Sequence, residues 1–207
     1  RDRSNCNESG KLMALLQVKK RLMAMAGLVL TAYLIFHMLT NLSFFSPEQY
    51  QAFYDFYNQP LIRWPLWLLV AASLVFHVIV AVQIRLHNSK ARVQAYQHRQ
   101  HHFIPAWLVS IVITLILLFI VWHMAQMWSF GGADIYTQTL TLFSSVWQLL
   151  IYLGGVLLIG LHLQHSLTNV LQTLGKTSKQ FYWISTAIVV LLVVGFAIVP
   201  ILAYWKA

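Results

Sequence analysis

Long uninterrupted apolar runs dominate the chain. Five stretches each hold about 20 or more mostly apolar residues, the length that a helix needs to cross the hydrocarbon core of a bilayer. The runs are continuous and do not alternate with polar residues, which excludes the strands of a membrane barrel. We therefore predict an all-α membrane protein whose five helices form one bundle. The predicted spans are residues 22–42, 64–84, 104–128, 146–171 and 181–205, after a cytoplasmic N-terminal segment of residues 1–21.

Helix-breaking residues separate these runs. Pro60, Pro65, Gly131 with Gly132, and Gly175 are predicted to mark breaks between spans, and Pro200 is predicted to kink the last one. Residues 43–63 form the only sizeable connection on their side of the membrane and are rich in Tyr and Phe. This pattern favours a short helix in the membrane interface, with an irregular lid over the helix ends as the alternative.

Composition supports a membrane protein, and the positions of the charges predict its orientation. The chain is 59% hydrophobic and 9% charged, which excludes a soluble enzyme, a disordered chain and an ordinary DNA-binding module. The net charge of +9 does not indicate a nucleic-acid partner, because twelve of the fourteen Lys and Arg residues fall on one side of the predicted spans. The positive-inside rule then predicts a cytoplasmic N-terminus and an external C-terminus. A single cysteine, Cys6, excludes a disulfide framework and a cysteine-based metal site.

No Asp, Glu, Lys or Arg lies inside the predicted spans, but histidine does. The first four spans contain it, and the fifth has none; the residues are His37, His77, His123, and His162 with His165. Ionisable groups at membrane depth are uncommon and usually functional. A histidine that only bonds a neighbouring helix is the ordinary alternative, but four consecutive helices with a histidine each are difficult to explain in that way.

The depths of these histidines fall into two layers. At a rise of ~1.5 Å per residue, His37 and His123 lie ~22 and ~28 Å from the cytoplasmic end, whereas His77 and His162 lie ~10 and ~14 Å from it. Two imidazoles from separate helices at one depth can hold one iron from both sides of a planar haem. A zinc or copper site would need several ligands at one point, and a proton relay would normally include Asp or Glu. Two layers therefore predict two stacked haems.

Four segments resemble one known family. The runs LMAMAGLVLTAYLIFHMLTNLSFF, VFHVIVAVQIRLHNSKAR, LFIVWHMAQMW and IGLHLQHSLTNVLQTLG resemble, in order, the first four helices of the five-helix cytochrome b anchor subunits of succinate dehydrogenases and fumarate reductases. The resemblance implies two haem b groups, an outer one held by His37 and His123 and an inner one held by His77 and His162.

The resemblance also implies partners and a location. The chain would lie in a bacterial cytoplasmic membrane, with a flavoprotein and an iron–sulfur subunit docked on its cytoplasmic face. Those subunits would interconvert succinate and fumarate, and this chain would pass electrons between the iron–sulfur subunit and a quinone, menaquinone by family analogy. Some fumarate reductases of the family carry a glutamate two residues before the fourth-helix ligand, where this chain has Gly160. This difference favours a succinate dehydrogenase, with a fumarate reductase as the alternative.

Further polar residues are candidates for the quinone site and for the haem propionates. Quinone chemistry needs polar groups and a proton source near the haem edge. The outer candidates are Glu48, Asp55, Gln126 and Gln148, and the inner candidates are His165, Gln172 and Gln83. Propionates need polar or cationic partners, for which Asn41 suits the outer haem and Arg85, Lys176 and Gln172 the inner one. The alternatives are solvated loop acids, helix-end amides and cations that anchor the membrane edge.

Three other functions are compatible with parts of the pattern. Cytochrome b subunits of hydrogenases or formate dehydrogenases also carry haem, but they usually differ in helix count and place two ligands on one helix. A histidine-based cation or proton transporter would show no haem spectrum, and neither would a purely structural anchor. The histidines of the basic loop between spans two and three resemble a metal cluster, but a solvated, lipid-facing or subunit-facing loop is the favoured interpretation; they are His87, His98, His101 and His102.

Overall fold

The computed structural model describes residues 2–90, 106–131, 134–176 and 178–207, with side chains for residues 15–87, 108–131, 134–176 and 178–207. This part of the chain is helical and contains no β-strand. The helices are α1 (Asp2–Leu42), α2 (Pro47–Asn58), α3 (Pro60–Lys90), α4 (Ala106–Trp128), α5 (Ile135–Phe143), α6 (Val146–Thr173) and α7 (Lys179–Lys206). The predicted loop histidines His98, His101 and His102 lie outside the described residues.

Five of these helices, α1, α3, α4, α6 and α7, are long and apolar enough to cross a membrane. The prediction of an all-α chain with five helices of membrane-spanning length and hydropathy is therefore confirmed for the described residues. Four of these helices extend beyond the predicted apolar runs, most of all α1, which begins at Asp2, whereas the first two residues of the run at 104–128 lie outside the described residues. Hydropathy finds the apolar part of a helix but not its ends, because polar residues extend an existing helix without a new nucleation step.

Among the described residues, the predicted breaks at Pro60, Gly131 and Gly175 are confirmed and the one at Pro65 is wrong, while Gly132 lies outside the described residues. Pro60 is the first residue of α3, and Gly175 follows α6 with a positive φ of 78°, a conformation that favours glycine. Pro65 was predicted as a break, but it lies inside α3. Pro65 is near the start of α3. Because the first N–H groups of a helix have no partner within it, a residue without an N–H removes few helical hydrogen bonds there. Pro200 lies inside α7, as predicted, and is buried.

Two short helices connect the spans at one end of the bundle. The aromatic segment after α1 is a 3₁₀ turn, Ser43–Phe45, followed by α2, which confirms the helical interpretation over an irregular lid. The short α5 was not predicted. Asp134 caps it by accepting a hydrogen bond from the Thr137 N–H at 2.9 Å. The capping residue was a signal in the sequence, but nine residues are too few for periodicity to identify a helix.

The α2 and α5 helices pack on each other, and we call the end of the bundle that they occupy the α2/α5 end. The Tyr50 hydroxyl lies 3.3 Å from the Thr139 hydroxyl, and Gln51 accepts a hydrogen bond from the backbone N–H of Ile135. Phe44 is fully buried beneath them and stacks on Tyr136. These contacts tie the two connections into one layer over the ends of the long helices.

The five long helices form an arc in the order α3, α1, α7, α6, α4, in which each helix packs on the next. Small residues permit the close approaches, as is common between membrane helices. Gly195 of α7 faces Met38 of α1, and Gly160 of α6 faces Val193 of α7. Among the described residues, α1 with α4 and α3 with α6 are not extensively packed pairs. Side chains that bridge these pairs therefore lie in the interior of the arc.

Candidate functional site

The interior of the arc holds two pairs of histidines, each shared by two helices that are not neighbours. His37 of α1 and His123 of α4 have ring centroids 6.1 Å apart. His77 of α3 and His162 of α6 have ring centroids 6.4 Å apart. The structure thus places together the two pairs of rings that the depth argument had matched.

The two pairs lie at different levels of the bundle. The distance between the levels can be measured along two helices. On α1, Gly27 contacts the ring of His77, and His37 follows ten residues later. On α6, the Tyr152 hydroxyl contacts His123, and His162 follows ten residues later. Ten residues of helix correspond to roughly 15 Å. Two independent helices therefore give the same separation between the levels.

The separation of the rings within each pair matches axial ligation of one metal. An imidazole nitrogen bonds a metal at roughly 2 Å and its ring centre lies about 1 Å further back, so two opposed ligands place their ring centres roughly 6 Å apart. The ring planes meet at 60° in one pair and 89° in the other, and both angles are compatible because each plane can rotate about its metal–nitrogen bond. No three potential metal ligands converge within the described residues. Two protein ligands per level suit a macrocycle, which supplies the remaining four itself.

At the α2/α5 end, a hydrogen-bond chain orients His123. The Tyr152 hydroxyl donates to Gln126 Oε1 at 2.9 Å and lies 3.2 Å from His123 Nδ1. Because the hydroxyl hydrogen is directed to Gln126, the oxygen is left to accept from a protonated Nδ1. The lone pair of His123 is then on Nε2, the arrangement that a metal-binding histidine needs.

At the other level, a backbone carbonyl serves the same purpose. His77 Nδ1 lies 3.4 Å from the carbonyl oxygen of Met23 on α1. A carbonyl can only accept, so this contact also favours a proton on Nδ1 and a lone pair on Nε2. Gly27 faces the same ring, and a Cβ at this position would lie in van der Waals contact with His77 Cε1 at 3.4 Å, which leaves little room for a larger side chain.

His37 is held by aromatic rings and by an amide on its own helix. Its ring stacks on Tyr33, with centroids 5.6 Å apart, and contacts Phe196 of α7. The Asn41 amide nitrogen donates to the His37 carbonyl at 2.9 Å and lies 3.4 Å from His37 Nε2. A metal on that nitrogen would replace only the longer contact, and Asn41 would keep its bond to the carbonyl.

The two acidic quinone candidates lie at the surface of α2. Glu48 is exposed and accepts a hydrogen bond from the Ser46 hydroxyl at 3.0 Å. Its own backbone N–H and Ser46 hold the pKa of Glu48 below its usual value, so this carboxylate is a weak proton donor near neutral pH. Asp55 is also exposed and accepts a hydrogen bond from Gln51 at 2.9 Å.

The two amide candidates are placed differently from the acids. Gln126 belongs to the hydrogen-bond chain that reaches His123. Gln148 lines a cavity of about 490 Å³ between α5 and the start of α6. Its Oε1 is buried and has no hydrogen-bond partner among the described residues.

The remaining candidates are dispersed at the end of the bundle opposite α2 and α5. Arg85 and Lys176 are exposed there, and Lys176 lies over the ring of Phe181 at 5.5 Å. Gln83 accepts a hydrogen bond from Lys19 at 3.0 Å, and His165 is exposed and paired with Asn169. Gln172 is exposed in the last turn of α6.

Two glycines of α6 face side chains of neighbouring helices. A Cβ at Gly155 would lie 2.5 Å from the ring of Phe119, and one at Gly160 would lie 2.5 Å from Val193. Their lack of a side chain permits helix packing. Gly154 faces open space.

Sequence reasoning missed the residues that orient the histidines. Tyr152 looked like one aromatic residue among many in its span, and its polar hydroxyl was the only signal of a role. The Met23 carbonyl has no sequence signal, because every residue carries a backbone carbonyl.

Comparison of the chain with protein-family models, curated proteins and solved structures finds no match.

Proposed function

We propose that this chain is the dihaem cytochrome b anchor of a succinate dehydrogenase in a bacterial cytoplasmic membrane. It would bind flavoprotein and iron–sulfur subunits on its cytoplasmic face and pass electrons between the iron–sulfur subunit and a membrane quinone, menaquinone by analogy. The observation that carries this proposal is the pairing of four histidines from four helices into two sets whose ring centroids are 6.1 and 6.4 Å apart. Haem iron would supply one-electron redox chemistry at each level.

The residues around the pairs fit this cofactor. His123 and His77 each have an acceptor at Nδ1, which keeps the metal-binding lone pair on Nε2. Phe119 packs on His123 and Phe196 contacts His37, and these aromatic side chains would lower the local dielectric and exclude water at that pair. The protein's part is thus to ligate, orient and bury the redox groups, as expected for a cofactor protein.

Position 160 favours the succinate dehydrogenase over those fumarate reductases that carry a glutamate there. Gly160 lies two residues before His162, against Val193 of α7. A glutamate would begin with a Cβ only 2.5 Å from Val193 and would require α6 and α7 to separate. The fumarate reductase remains the alternative because electron flow through such a chain can run in either direction.

The test is the haem content of the purified chain. We expect a reduced-minus-oxidised spectrum of the b type, and a pyridine haemochrome assay that gives two haem b groups per chain. A variant with all four paired histidines replaced by alanine serves as the control and should be colourless. A colourless wild-type chain, expressed with an adequate haem supply, would refute the proposal.

The identity of the enzyme needs a second experiment. Co-expression of the chain with succinate dehydrogenase flavoprotein and iron–sulfur subunits should give a membrane-bound complex in which succinate reduces a naphthoquinone. If both haems are present but no such complex forms, the chain belongs to a different electron-transfer enzyme.

A further inference from the structure

A polar, uncharged cavity lies at the α2/α5 end. It is a depression that is open to the surface, with a volume of about 490 Å³, and Ser129, Thr137 and Thr141 at its rim are exposed. Its walls come from the end of α4, from α5 and from the first turn of α6. The polar lining consists only of hydroxyl and amide side chains, namely Ser129, Thr137, Gln138, Thr141, Ser145 and Gln148.

One group of this lining lacks a partner. Several of its side chains are already satisfied: Ser129 and Thr141 donate to carbonyls of their own segments, and Gln138 bonds both backbone groups of Gly131. Gln148 Oε1 is buried and accepts no hydrogen bond from the described residues. A buried acceptor without a donor is costly, so a bound hydroxyl at this point would be stabilising.

An apolar groove continues from this cavity along the same face of α6. Ser145 and Gln148 line the cavity, and the next residues on that face, Ile151, Gly154 and Leu158, line a groove of about 350 Å³ between α4 and α6. One turn of helix, roughly 5 Å, separates the polar lining from the apolar one. The groove is open at Gly154, where a Cβ would meet nothing within 4 Å.

The groove lies one aromatic layer from a histidine pair. Phe119 and Trp122 of α4 form its wall. The Phe119 ring stacks on His123 with centroids 6.0 Å apart, and the Trp122 ring lies 5.4 Å from Tyr152, which contacts His123. A molecule in the groove would therefore be close to the His37 and His123 rings without touching them.

The chemistry of cavity and groove selects the occupant. The cavity offers neutral acceptors and donors, the groove offers a long apolar surface, and no charged side chain lines either of them among the residues that the structure describes. A phospholipid headgroup would need a cationic partner for its phosphate. A quinol has a neutral ring with two hydroxyl donors and a prenyl tail. We propose that a prenylated quinol binds here, with a ring hydroxyl donating to Gln148 Oε1 and its tail in the α4/α6 groove. This deepens the proposed function and rests on it, and it narrows the four outer quinone candidates to Gln148.

Photolabelling of the purified haem-loaded chain in detergent tests the proposal directly. The probe is a tritiated azido-naphthoquinol with two isoprene units, and the labelled peptide is identified by mass spectrometry. We expect the label on the segment from Ser145 to Leu158. Gln148→Leu should weaken binding at least tenfold by removing the acceptor, and Gly154→Trp should do the same by filling the groove.

Two matched variants control for general damage. Gln49→Leu makes the same change at an exposed glutamine of α2, and Leu161→Trp introduces the same ring at an exposed position of α6 outside the groove. Both should bind the probe as the wild type does. All four variants should keep the haem content of the wild-type chain, which confirms that they fold.

The outcomes separate this inference from the proposed function. Two haems with normal probe binding in both Gln148→Leu and Gly154→Trp, or label on α2 near Glu48, would overturn the quinol site and leave the dihaem function standing. Displacement of the probe by an equimolar amount of phospholipid would also overturn it, because the site would then be a lipid site. A chain without haem that still labels at Gln148 would refute the proposed function but not the quinol site.

Discussion

The two histidine pairs use the same side chains in different surroundings. The pair of His37 and His123 lies beneath the α2/α5 end, among Tyr33, Phe119 and Phe196, with side-chain amides and a phenol as hydrogen-bond partners. The pair of His77 and His162 lies about three helical turns away, and His77 is oriented by a backbone carbonyl. The rings of the first pair are therefore oriented by side chains that mutation can remove. In the second pair, His77 is oriented by the main chain and faces a glycine.

This contrast predicts that two identical cofactors would have different properties. Hydrogen bonding around an axial ligand and the polarity of its surroundings both tune the reduction potential of a haem. A cofactor held by His37 and His123 would respond to the phenol and the amide chain, whereas one held by His77 and His162 would not. If the proposed function is correct, the two haems should therefore have separate midpoint potentials.

Loss of one histidine should remove one haem and leave the other. We expect His123→Ala to halve the haem content from two per chain to one, because a single axial imidazole with no opposed ligand holds the cofactor poorly. The pyridine haemochrome assay measures this directly. His77→Ala should also halve the content, but the haem that survives should have the other midpoint potential.

His165→Ala is the matched control for both variants. This exposed histidine lies on α6 three residues after His162 and pairs with Asn169, so its loss should leave two haems. Retention of both haems in His123→Ala, or loss of both in His77→Ala with normal folding, would contradict the assignment of one cofactor to each pair.

Removal of the Tyr152 hydroxyl should affect only the pair that includes His123. Tyr152→Phe keeps the ring and deletes the group between His123 Nδ1 and Gln126 Oε1. Lost outer-shell partners of metal ligands commonly lower affinity about tenfold or more. We expect a shifted midpoint potential and faster dissociation for one haem, measured by redox titration and by transfer to apomyoglobin.

The control for this variant is Tyr136→Phe, which removes a phenol of α5 that accepts from Lys206 and has no contact with a histidine. Equal shifts of both potentials in Tyr152→Phe would show that the hydroxyl acts on the whole bundle and not on His123.

A side chain at Gly27 should affect only the other pair. Gly27→Val would place its methyl groups against the His77 ring, since the Cβ alone would lie 3.4 Å from Cε1. We expect partial loss of the haem held by His77 and His162, which is the haem that should remain in His123→Ala. The haem content should then lie between one and two per chain. Gly154→Ala, where a Cβ meets nothing within 4 Å, should keep both haems. A full haem content in Gly27→Val would mean that α1 and α3 separate easily.

The smallest effect concerns the layer over the His37 and His123 pair. Asp134→Ala removes the cap of α5, and we expect several-fold faster amide exchange in α5 with little change in haem content. Asp134→Asn should retain the cap.

The cap should also depend on pH. Hydrogen bonds from Thr137 lower the pKa of Asp134, so the charged cap stabilises α5 fully above the ordinary pKa of an aspartate. This stabilisation is lost only as the pH falls through the lowered value. Exchange in α5 that is unchanged by Asp134→Ala would show that contacts with α2 alone hold it.

Much of the fold could be read from local pattern. The five spans follow from apolar runs, because the thickness of the hydrocarbon core sets a minimum length for each crossing helix. The histidine levels follow from the constant rise of a helix, which converts residue number into depth. Neither property depends on how the helices are arranged relative to one another. For the same reason, neither locates α5 or Pro65, where short-range capping and position within a turn decide the outcome.

The candidate site was predicted only in part. Glu48 and Asp55 were chosen for their acidity, yet both are exposed on α2, whereas Gln126 and Gln148 are the candidates that tertiary contacts bring to polar networks or cavities. Glycine shows the same limit. Gly27 and Gly154 leave space, whereas Gly155 and Gly160 receive side chains of neighbouring helices, and nothing in the residue itself distinguishes the two cases.

The sequence by itself determined that the chain is a five-span helical membrane protein with histidines at two depths, because hydropathy, helix rise and residue type are properties of single segments. Only the tertiary structure decided which rings meet, that Tyr152 and the Met23 carbonyl orient two of them, and that α4 and α6 enclose a groove beside one pair. These features depend on the rotation of each helix about its axis and on the order of the helices in the arc. Both are set by packing between segments distant in the sequence.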